Sequence, residues 1–264
     1  MVKGSVITSA ASMSSLPMLG FNQGQISIMG KKRKQQEVEQ EEAGEASHRL
    51  TTVPHIKNQE KRLIVILERA NLEIIKTGKS FDLLNCDDHL GLMKKYNKDP
   101  ANYRPDILHQ CLLMLQDSPL NQAGKLQVYI HTEKNVLVEV NPQCRIPRTF
   151  KRFAGLMVQL LHKLNVRASD GNMKLMKVIR NPVTNYLPPG CKKIGTSFTA
   201  KKLVNSRDLA PTDEPLVIVI GAMAHGKVET DYVEEEISLS KYHLSAALAC
   251  AKVCDGFEEA WGIK

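Results

Sequence analysis

The segment Leu216-Val-Ile-Val-Ile-Gly221-Ala-Met-Ala-His-Gly226-Lys227-Val228 decides the fold of this chain. Its opening residues form an uninterrupted apolar, β-branched run, which is typical of a strand buried on both faces of a parallel sheet. The strand ends in a loop bracketed by two glycines, and α/β sheets bind ligands at the carboxyl ends of their strands. The segment therefore predicts an α/β fold with a ligand-binding loop, although Gly221 and Gly226 would also suit a simple turn.

The loop matches a phosphate-binding P-loop only in part. The P-loop pattern requires Ser or Thr after the lysine to bind magnesium, and this chain has Val228 at that position. Glu229 and Asp231 follow, and carboxylates repel a polyphosphate. The pattern disfavours nucleotide hydrolysis and favours a ligand held by backbone groups and apolar walls.

A second loop candidate is Ile237-Ser-Leu-Ser-Lys-Tyr-His-Leu244. Its mixture of apolar and hydroxyl side chains could supply backbone hydrogen bonds and an apolar floor to an adenine ring. The same segment could simply lead into the last helix, with Ser240 as the N-cap, and the two interpretations are compatible.

The rest of the chain alternates predicted strands and helices. Strands are predicted at 62–67, 126–131, 135–140, 175–179 and 193–198, and helices at 107–115, 149–165 and 242–253. This alternation predicts an α/β fold with a mostly parallel sheet and helices on both faces.

Composition sets the limits on function. The chain has 264 residues, 42% of them hydrophobic, and a net charge of +8, which favours a polyanionic partner such as nucleic acid without proving one. Its six cysteines form no CxxC pair, so no zinc site or other metal centre is expected, and Cys111, Cys250 and Cys254 are predicted to be buried thiols. No apolar run approaches the ~20 residues that a membrane span requires. The N-terminus lacks a charged start followed by an uninterrupted apolar core, so no secretory signal is predicted.

Two regions of different composition are expected. Residues 1–58 are rich in Ser, Gly, Gln and Glu and are predicted to be a disordered tail, whereas residues 59–264 are predicted to form the folded domain. The tail contains Lys31-Lys32-Arg33-Lys34, which is either a nuclear localisation signal or part of a solvated tail.

Two groups of arginines are candidates for RNA contacts. Arg145, Arg148, Lys151 and Arg152 crowd the predicted start of the helix at 149, where cations are intrinsically unfavourable and an anion would bind well. A solvated basic face is the alternative. In Arg104-Pro105-Asp106, Asp106 either orients Arg104 toward a base or phosphate, or is an ordinary helix-start residue.

Six motifs together closely resemble one protein family. They are Arg104-Pro-Asp-Ile with His109-Gln110, Asp117-Ser-Pro-Leu-Asn121, Asn141-Pro-Gln-Cys-Arg145-Ile-Pro-Arg148-Thr-Phe, Gly195-Thr-Ser-Phe198, Gly221-Ala-Met-Ala-His-Gly-Lys227 and Leu244-Ser-Ala-Ala247. The family is the ribosomal-RNA pseudouridine N1-methyltransferases of the trefoil-knotted SPOUT class, also called the nucleolar essential protein or "essential for mitotic growth" family. The similarity runs from about Arg62 to the C-terminus.

The resemblance implies an α/β domain with a C-terminal trefoil knot, an S-adenosyl-L-methionine cofactor, a homodimer, and a role in small-subunit ribosome assembly in the nucleolus. It implies methylation of N1 of a pseudouridine in small-subunit rRNA, with Arg104 as the catalytic arginine oriented by Asp106. Its RNA-contact positions are Arg104, Asp106, Arg145, Arg148 and Arg152. Its cofactor positions are Thr196, Gly221, Gly226, Lys227, Val228, Leu239, Ser240, Lys241, Tyr242, His243 and Leu244.

The chain departs from the family pattern at three positions, and one alternative function stays open. The family has Asn and Pro where this chain has Lys241 and His243, and often Phe in place of Met223, which puts side-chain contacts at 241 and 243 in doubt. The alternative is an RNA-binding ribosome-assembly factor in which methylation is secondary, because the arginine group fits that role equally well.

Overall fold

The computed structural model describes residues 60–169 and 171–264. The predicted tail 1–58 and its basic block therefore lie outside the described residues. The strands are β1 Leu63–Ala70, β2 Ile74–Thr77, β3 Ser80–Leu83, β4 Leu126–Thr132, β5 Leu137–Val140, β6 Asn165–Arg167, β7 Lys174–Ile179, β8 Lys192–Thr196, β9 Leu216–Gly221 and β10 Glu235–Ile237. The α-helices are α1 Leu90–Lys95, α2 Pro105–Asp117, α3 Pro119–Gln122, α4 Phe150–Lys163 and α5 Ala246–Trp261, and 3-10 helices occupy Pro100–Asn102, Val183–Tyr186 and Ser206–Leu209.

One sheet carries the fold, with strands in the order β10-β8-β9-β1-β4-β5-β7-β6. The five strands from β10 to β4 are parallel, and β5, β7 and β6 continue the sheet with antiparallel pairings. Strands β1 and β9 lie at its centre and are buried throughout most of their length. A separate antiparallel hairpin is formed by β2 and β3.

The long helices α2, α4 and α5 pack in a single apolar cluster against one face of the sheet. The alternate residues of β1, Ile64 and Ile66, point to the other face, where Val183, Leu187 and Cys191 cover them. That second face is therefore covered by the 3-10 helix Val183–Tyr186 and by loops. The central strands β1 and β9 are thus buried on both sides, which is why they read as nearly continuous apolar runs.

Helix ends follow local chemistry. Helix α2 begins with Pro105 at its first position and Asp106 in its first turn, both favourable there. Helix α5 begins after Ser245, whose hydroxyl accepts a hydrogen bond from the Leu248 amide at 3.2 Å. It ends at Gly262, which adopts the left-handed conformation that closes many helices.

The last helix was predicted at 242–253 but lies further along the chain, at Ala246–Trp261. Residues 241–245 form an irregular segment before it. The predicted cap Ser240 is wrong, since Ser245 caps the helix instead. The strand predicted at 193–198 ends earlier, at Thr196. The β2–β3 hairpin, α1, β6 and β10 escaped prediction because they have only three to six residues each, too few to show a period.

Cys111, Cys250 and Cys254 are buried free thiols, as predicted, and lie in the helical layer. Across the described ranges, no set of three or more His, Cys, Asp or Glu side chains is arranged to hold a metal ion. None of the helices described is both long enough and apolar enough to cross a membrane.

Candidate functional site

A cleft of about 350 Å³ opens where the carboxyl ends of β8 and β9 meet the segment leading into α5. Parallel strands end at the same edge of a sheet, so Thr196 and Gly221 are brought together although they are far apart in sequence. Ten of the eleven predicted cofactor positions line the cleft, and only Lys241 does not. Those ten are Thr196, Gly221, Gly226, Lys227, Val228, Leu239, Ser240, Tyr242, His243 and Leu244.

Gly221 sets the width of the cleft at the end of β9. A Cβ atom built at this glycine would lie 2.9 Å from Cγ2 of Val228 and 3.3 Å from Cε of Met223. Val228, the residue that breaks the P-loop pattern, thus packs against Gly221 as an apolar wall. Gly226 adopts a φ of +101°, which a side chain would rarely tolerate, so the second glycine of the loop is required by its backbone conformation.

The lysine of this loop is already paired. Its Nζ lies 2.8 Å from a carboxylate oxygen of Glu236, the middle residue of β10. The Thr196 hydroxyl is also engaged, because it donates to the Val219 carbonyl at 3.0 Å. Lys227 and Thr196 are therefore not arranged to bind a phosphate, which agrees with the prediction that nucleotide hydrolysis is disfavoured.

Polar backbone groups line the other wall, at residues 238–244. The Ser238 hydroxyl donates to the Ser240 carbonyl, and the Tyr242 amide donates to the Ser240 hydroxyl, so serines shape this irregular segment. Within the described part of the chain, the backbone N–H groups of Leu239 and Leu244 find no acceptor. Buried or half-buried amides normally have a partner, so these two donors suit a bound ligand.

An aromatic pair at the cleft was not predicted as a pair. The rings of Phe198 and His243 stack with centroids 3.5 Å apart, which joins the loop after β8 to the segment before α5. Tyr242 lies beside them and is 79% exposed. The motif Gly195-Thr-Ser-Phe198 pointed to this loop, but the contact across the cleft depends on tertiary structure.

Arg104 and Asp106 form the pair that the sequence suggested. Nε and Nη2 of Arg104 donate to the two carboxylate oxygens of Asp106 at 2.9 and 2.7 Å. These hydrogen bonds raise the pKa of the Arg104 guanidinium and fix its plane at the start of α2. Its remaining N–H donors stay available to a ligand.

The second arginine group lies in the loop before α4 and in the first turn of that helix. The Pro147 carbonyl is 2.7 Å from Nε2 of His109, and the His109 ring stacks on Phe153, so the loop before α4 is packed against α2. Arg148 makes an ion pair with Asp117, the last residue of α2. The side chains of Arg145, Lys151 and Arg152 are exposed.

A buried polar network, missed at the sequence level, sits next to the cleft. Glu68, at the end of β1, is 2% exposed and accepts hydrogen bonds from the Tyr232 hydroxyl and from Nδ1 of His131, the latter at 2.8 Å. Burial raises the pKa of Tyr232, and the hydrogen bond to Glu68 raises the pKa of His131. The one signal in the sequence that could have indicated this network is Glu68, a carboxylate directly after the apolar run 62–67.

Most of the chain is similar to known proteins. A family model described as EMG1/NEP1 methyltransferase matches residues 65–258. The chain is 60% identical over 219 residues to the ribosomal RNA small subunit methyltransferase NEP1 of Drosophila melanogaster, covering 80% of this chain and 87% of the relative. The human protein of the same name is 61% identical over 203 residues, covering 77% of this chain and 83% of the relative.

Among solved structures, the crystal structure of Archaeoglobus fulgidus Nep1 bound to S-adenosylhomocysteine is similar, with a TM-score of 0.64 and 26% sequence identity. The match covers 76% of this chain and 98% of that protein. The shared architecture agrees with the α/β fold, dominated by parallel strands, that the sequence predicted.

Proposed function

The chain belongs to the EMG1/NEP1 methyltransferase family, and from this premise we propose that it transfers a methyl group from S-adenosyl-L-methionine to N1 of a pseudouridine in small-subunit ribosomal RNA. The observation that carries the proposal is the cleft at the ends of β8 and β9, lined by ten residues that the sequence assigned to cofactor binding. The relatives at 60% and 61% identity are named as methyltransferases of this RNA.

The cleft suits an adenosyl sulfonium better than a nucleoside polyphosphate. It offers backbone N–H groups at Leu239 and Leu244 that have no acceptor among the described residues, and an apolar wall at Val228, while Lys227 of the loop is paired with Glu236. The archaeal relative is described as bound to S-adenosylhomocysteine, the product that methyl transfer from S-adenosylmethionine leaves behind. When bound, S-adenosylmethionine supplies an electrophilic methyl group.

The protein's part in the reaction is mainly positioning. Pseudouridine exposes an N1–H that uridine lacks, and N1 must lose its proton as it attacks the methyl carbon. Arg104, held by both oxygens of Asp106, is arranged to stabilise the negative charge that develops on the base. A side chain fixed in this way does not have to reorganise during the reaction.

We also propose that the exposed basic side chains before α4 and in its first turn bind the RNA substrate. Arg145, Arg148 and Arg152 would bind phosphates, and the target base would have to flip out of its loop to reach the cleft. We further propose that the enzyme is a homodimer acting on ribosome-assembly intermediates in the nucleolus.

A trefoil knot is also proposed for the C-terminal part. The Ser238 amide donates to the Lys202 carbonyl, and the Ser238 carbonyl accepts from the Val204 amide, so the chain leaving β10 runs beside the loop between β8 and β9. The Trp261 indole donates to the Pro211 carbonyl on the same loop. This close passage supports threading of the chain through that loop, a rare exception among folds.

The proposal is tested with labelled S-adenosylmethionine and two RNA loops that differ only in pseudouridine versus uridine. We expect label in the pseudouridine loop alone, because only that base presents N1–H opposite the methyl donor. Asp106→Asn should lower the rate while the affinity for S-adenosylhomocysteine stays unchanged. Equal labelling of both loops, or of neither, would contradict the proposed reaction.

The second candidate function is an RNA-binding assembly factor in which methylation is secondary. The exposed arginines beside α4 favour it as much as they favour the enzyme. A variant with a damaged Gly221 loop and intact arginines separates the two roles. If such a variant abolishes methylation but supports normal ribosome assembly, binding is the essential role.

A further inference from the structure

The loop that follows β9 is tied to the ends of β1 and β4 by side chains that do not line the cleft. Nη1 of Arg69 donates to the Lys227 carbonyl at 3.1 Å, and the Tyr232 hydroxyl donates to Glu68. Lys227 and Val228 belong to the cleft wall, whereas Arg69, Glu68 and Tyr232 lie outside it.

We propose that Arg69, together with the Tyr232–Glu68–His131 network, holds the wall Gly226–Val228 in its binding conformation and thereby sets the affinity for the cofactor. These are positioning residues, because they act through the loop and touch no reacting atom. The inference rests on the proposed function, since it assumes that the cleft holds S-adenosylmethionine.

Arg69 adopts an uncommon backbone conformation. Its φ is +57°, the left-handed region that a non-glycine residue occupies at an energetic cost. In that conformation the guanidinium bridges two segments, because Nε also donates to Glu133 at 2.8 Å. A Cβ atom at Gly226 would lie 3.2 Å from Nη1 of Arg69, so the glycine permits this close approach.

Tyr232 anchors the far end of the same loop. Glu68 uses one carboxylate oxygen for the Tyr232 hydroxyl and the other for Nδ1 of His131. Nε2 of His131 lies 2.9 Å from Oδ1 of Asn135. Both ring nitrogens therefore face oxygen atoms.

The amide atoms of this network can be assigned from the structure. Nδ2 of Asn181 contacts the backbone carbonyl of Asn135 at 2.8 Å, so it must be a nitrogen donor. The same Nδ2 is 3.0 Å from Oδ1 of Asn135, which must then be the acceptor oxygen. Nε2 of His131 consequently donates to that oxygen, and His131 carries protons on both nitrogens. The buried Glu68 carboxylate is thus paired with an imidazolium.

These ties add to the Lys227–Glu236 ion pair and the packing of Val228 beside Gly221, and they matter because the loop has no regular backbone hydrogen bonding of its own. Between Ala222 and Val233, the described backbone forms no helix or strand. A wall without a hydrogen-bonded ladder opens easily unless side chains fix it. If the wall is already ordered, less conformational entropy is lost when the cofactor binds, so the affinity is higher.

The test is calorimetric titration of the full chain with S-adenosylhomocysteine. We expect Arg69→Met and Tyr232→Phe each to raise Kd by about five- to tenfold, in the usual range for coupling between neighbouring elements. Matched controls are Arg207→Met, which breaks a comparably exposed Arg–Glu pair at Glu259, and Tyr186→Phe, which alters a tyrosine packed on the same face of the sheet. Both controls should bind as the unaltered chain does.

The pH profile separates positioning from a general loss of structure. The unaltered chain should bind more weakly as the pH rises and His131 loses its extra proton, whereas Tyr232→Phe should flatten that dependence because its loop no longer contacts Glu68. The other titratable or charged groups that face His131 and Glu68 are Arg69, Glu133, Glu229, Asp231 and Tyr232, and none of them other than Tyr232 is changed in this comparison.

The outcomes are distinguishable. If the unaltered chain binds S-adenosylhomocysteine and both variants bind equally well, the positioning role is wrong while the proposed function stands. If both variants weaken binding but keep the pH dependence of the unaltered chain, the tie through His131 is wrong. If the unaltered chain does not bind S-adenosylhomocysteine at all, the cofactor site itself is wrong, and this inference fails with it.

Discussion

At the scale of single residues, Gly221 decides how much room the cleft at the ends of β8 and β9 has. The Cβ of an alanine there would lie 2.9 Å from Val228, which is closer than real side chains approach. We expect Gly221→Ala to push Val228 out of place and to weaken S-adenosylhomocysteine binding by about tenfold, or roughly 1.4 kcal/mol. Titration calorimetry measures this change.

Gly155→Ala is the matched control for that substitution. Gly155 lies in α4, and an added Cβ would meet nothing within 4 Å. Alanine there should leave cofactor binding intact and raise the free energy of unfolding by about 1 kcal/mol, because glycine is a poor helix former. Equal cofactor affinity in Gly221→Ala and the unaltered chain would show that the cleft does not need this glycine.

At the scale of secondary structure, α2 carries candidate RNA contacts at both of its ends. Arg104 precedes its first residue and Arg148 pairs with Asp117, its last residue, so the two arginines are attached to helix ends about 20 Å apart, given 13 residues and a rise of 1.5 Å per residue. A single helix thus fixes the spacing between the arginine proposed to act on the base and an arginine proposed to bind a backbone phosphate.

The ion pair at the end of α2 gives a prediction about RNA binding. Arg148→Ala should weaken binding and reduce the slope of log K against log salt by about one, the effect of losing one phosphate contact. Asp117→Asn frees Arg148 and should leave binding unchanged or stronger. Filter binding over a range of salt concentrations measures both, and an equal loss in the two variants would mean that the pair is structural.

At the scale of the whole molecule, the Glu68–His131 pair links stability to pH. The pKa of His131 is raised in the folded protein above its value of about 6.5 in an unfolded chain. The stabilising effect is therefore fully present below the unfolded pKa and is lost as the pH rises through the folded pKa. The pair connects the neighbouring strands β1 and β4 and the loop after β9.

We expect His131→Gln to lower the free energy of unfolding, and to lower it more near pH 6 than at a pH well above the folded pKa of His131. Denaturant unfolding of the unaltered chain and the variant at several pH values measures this difference. A difference that does not vary with pH would show that His131 is uncharged in the folded protein. The chain with His162→Gln, a histidine exposed on α4, is a suitable control.

Family and fold class could be predicted from the sequence because their signals are local. The apolar run Leu216–Ile220 and the heptad-spaced apolar residues of α4 reflect strand and helix periods that are visible within a short window. The long motifs around Arg104, Arg145 and Gly221 identified the family, which the family match over residues 65–258 confirms. Short polar elements such as β10 (Glu-Glu-Ile) give no such period and were missed.

The sequence by itself determined the α/β fold and the family, and it predicted the loops that line the cleft, because each of these signals lies in residues close together along the chain. Only the tertiary structure decided which of these groups are free to act. It pairs Lys227 with Glu236, Arg148 with Asp117, and Tyr232 with Glu68, whose sequence separation is 164 residues. Such partners are set by the order and register of strands in the sheet, which bring distant segments to one edge and leave no periodic trace in the sequence.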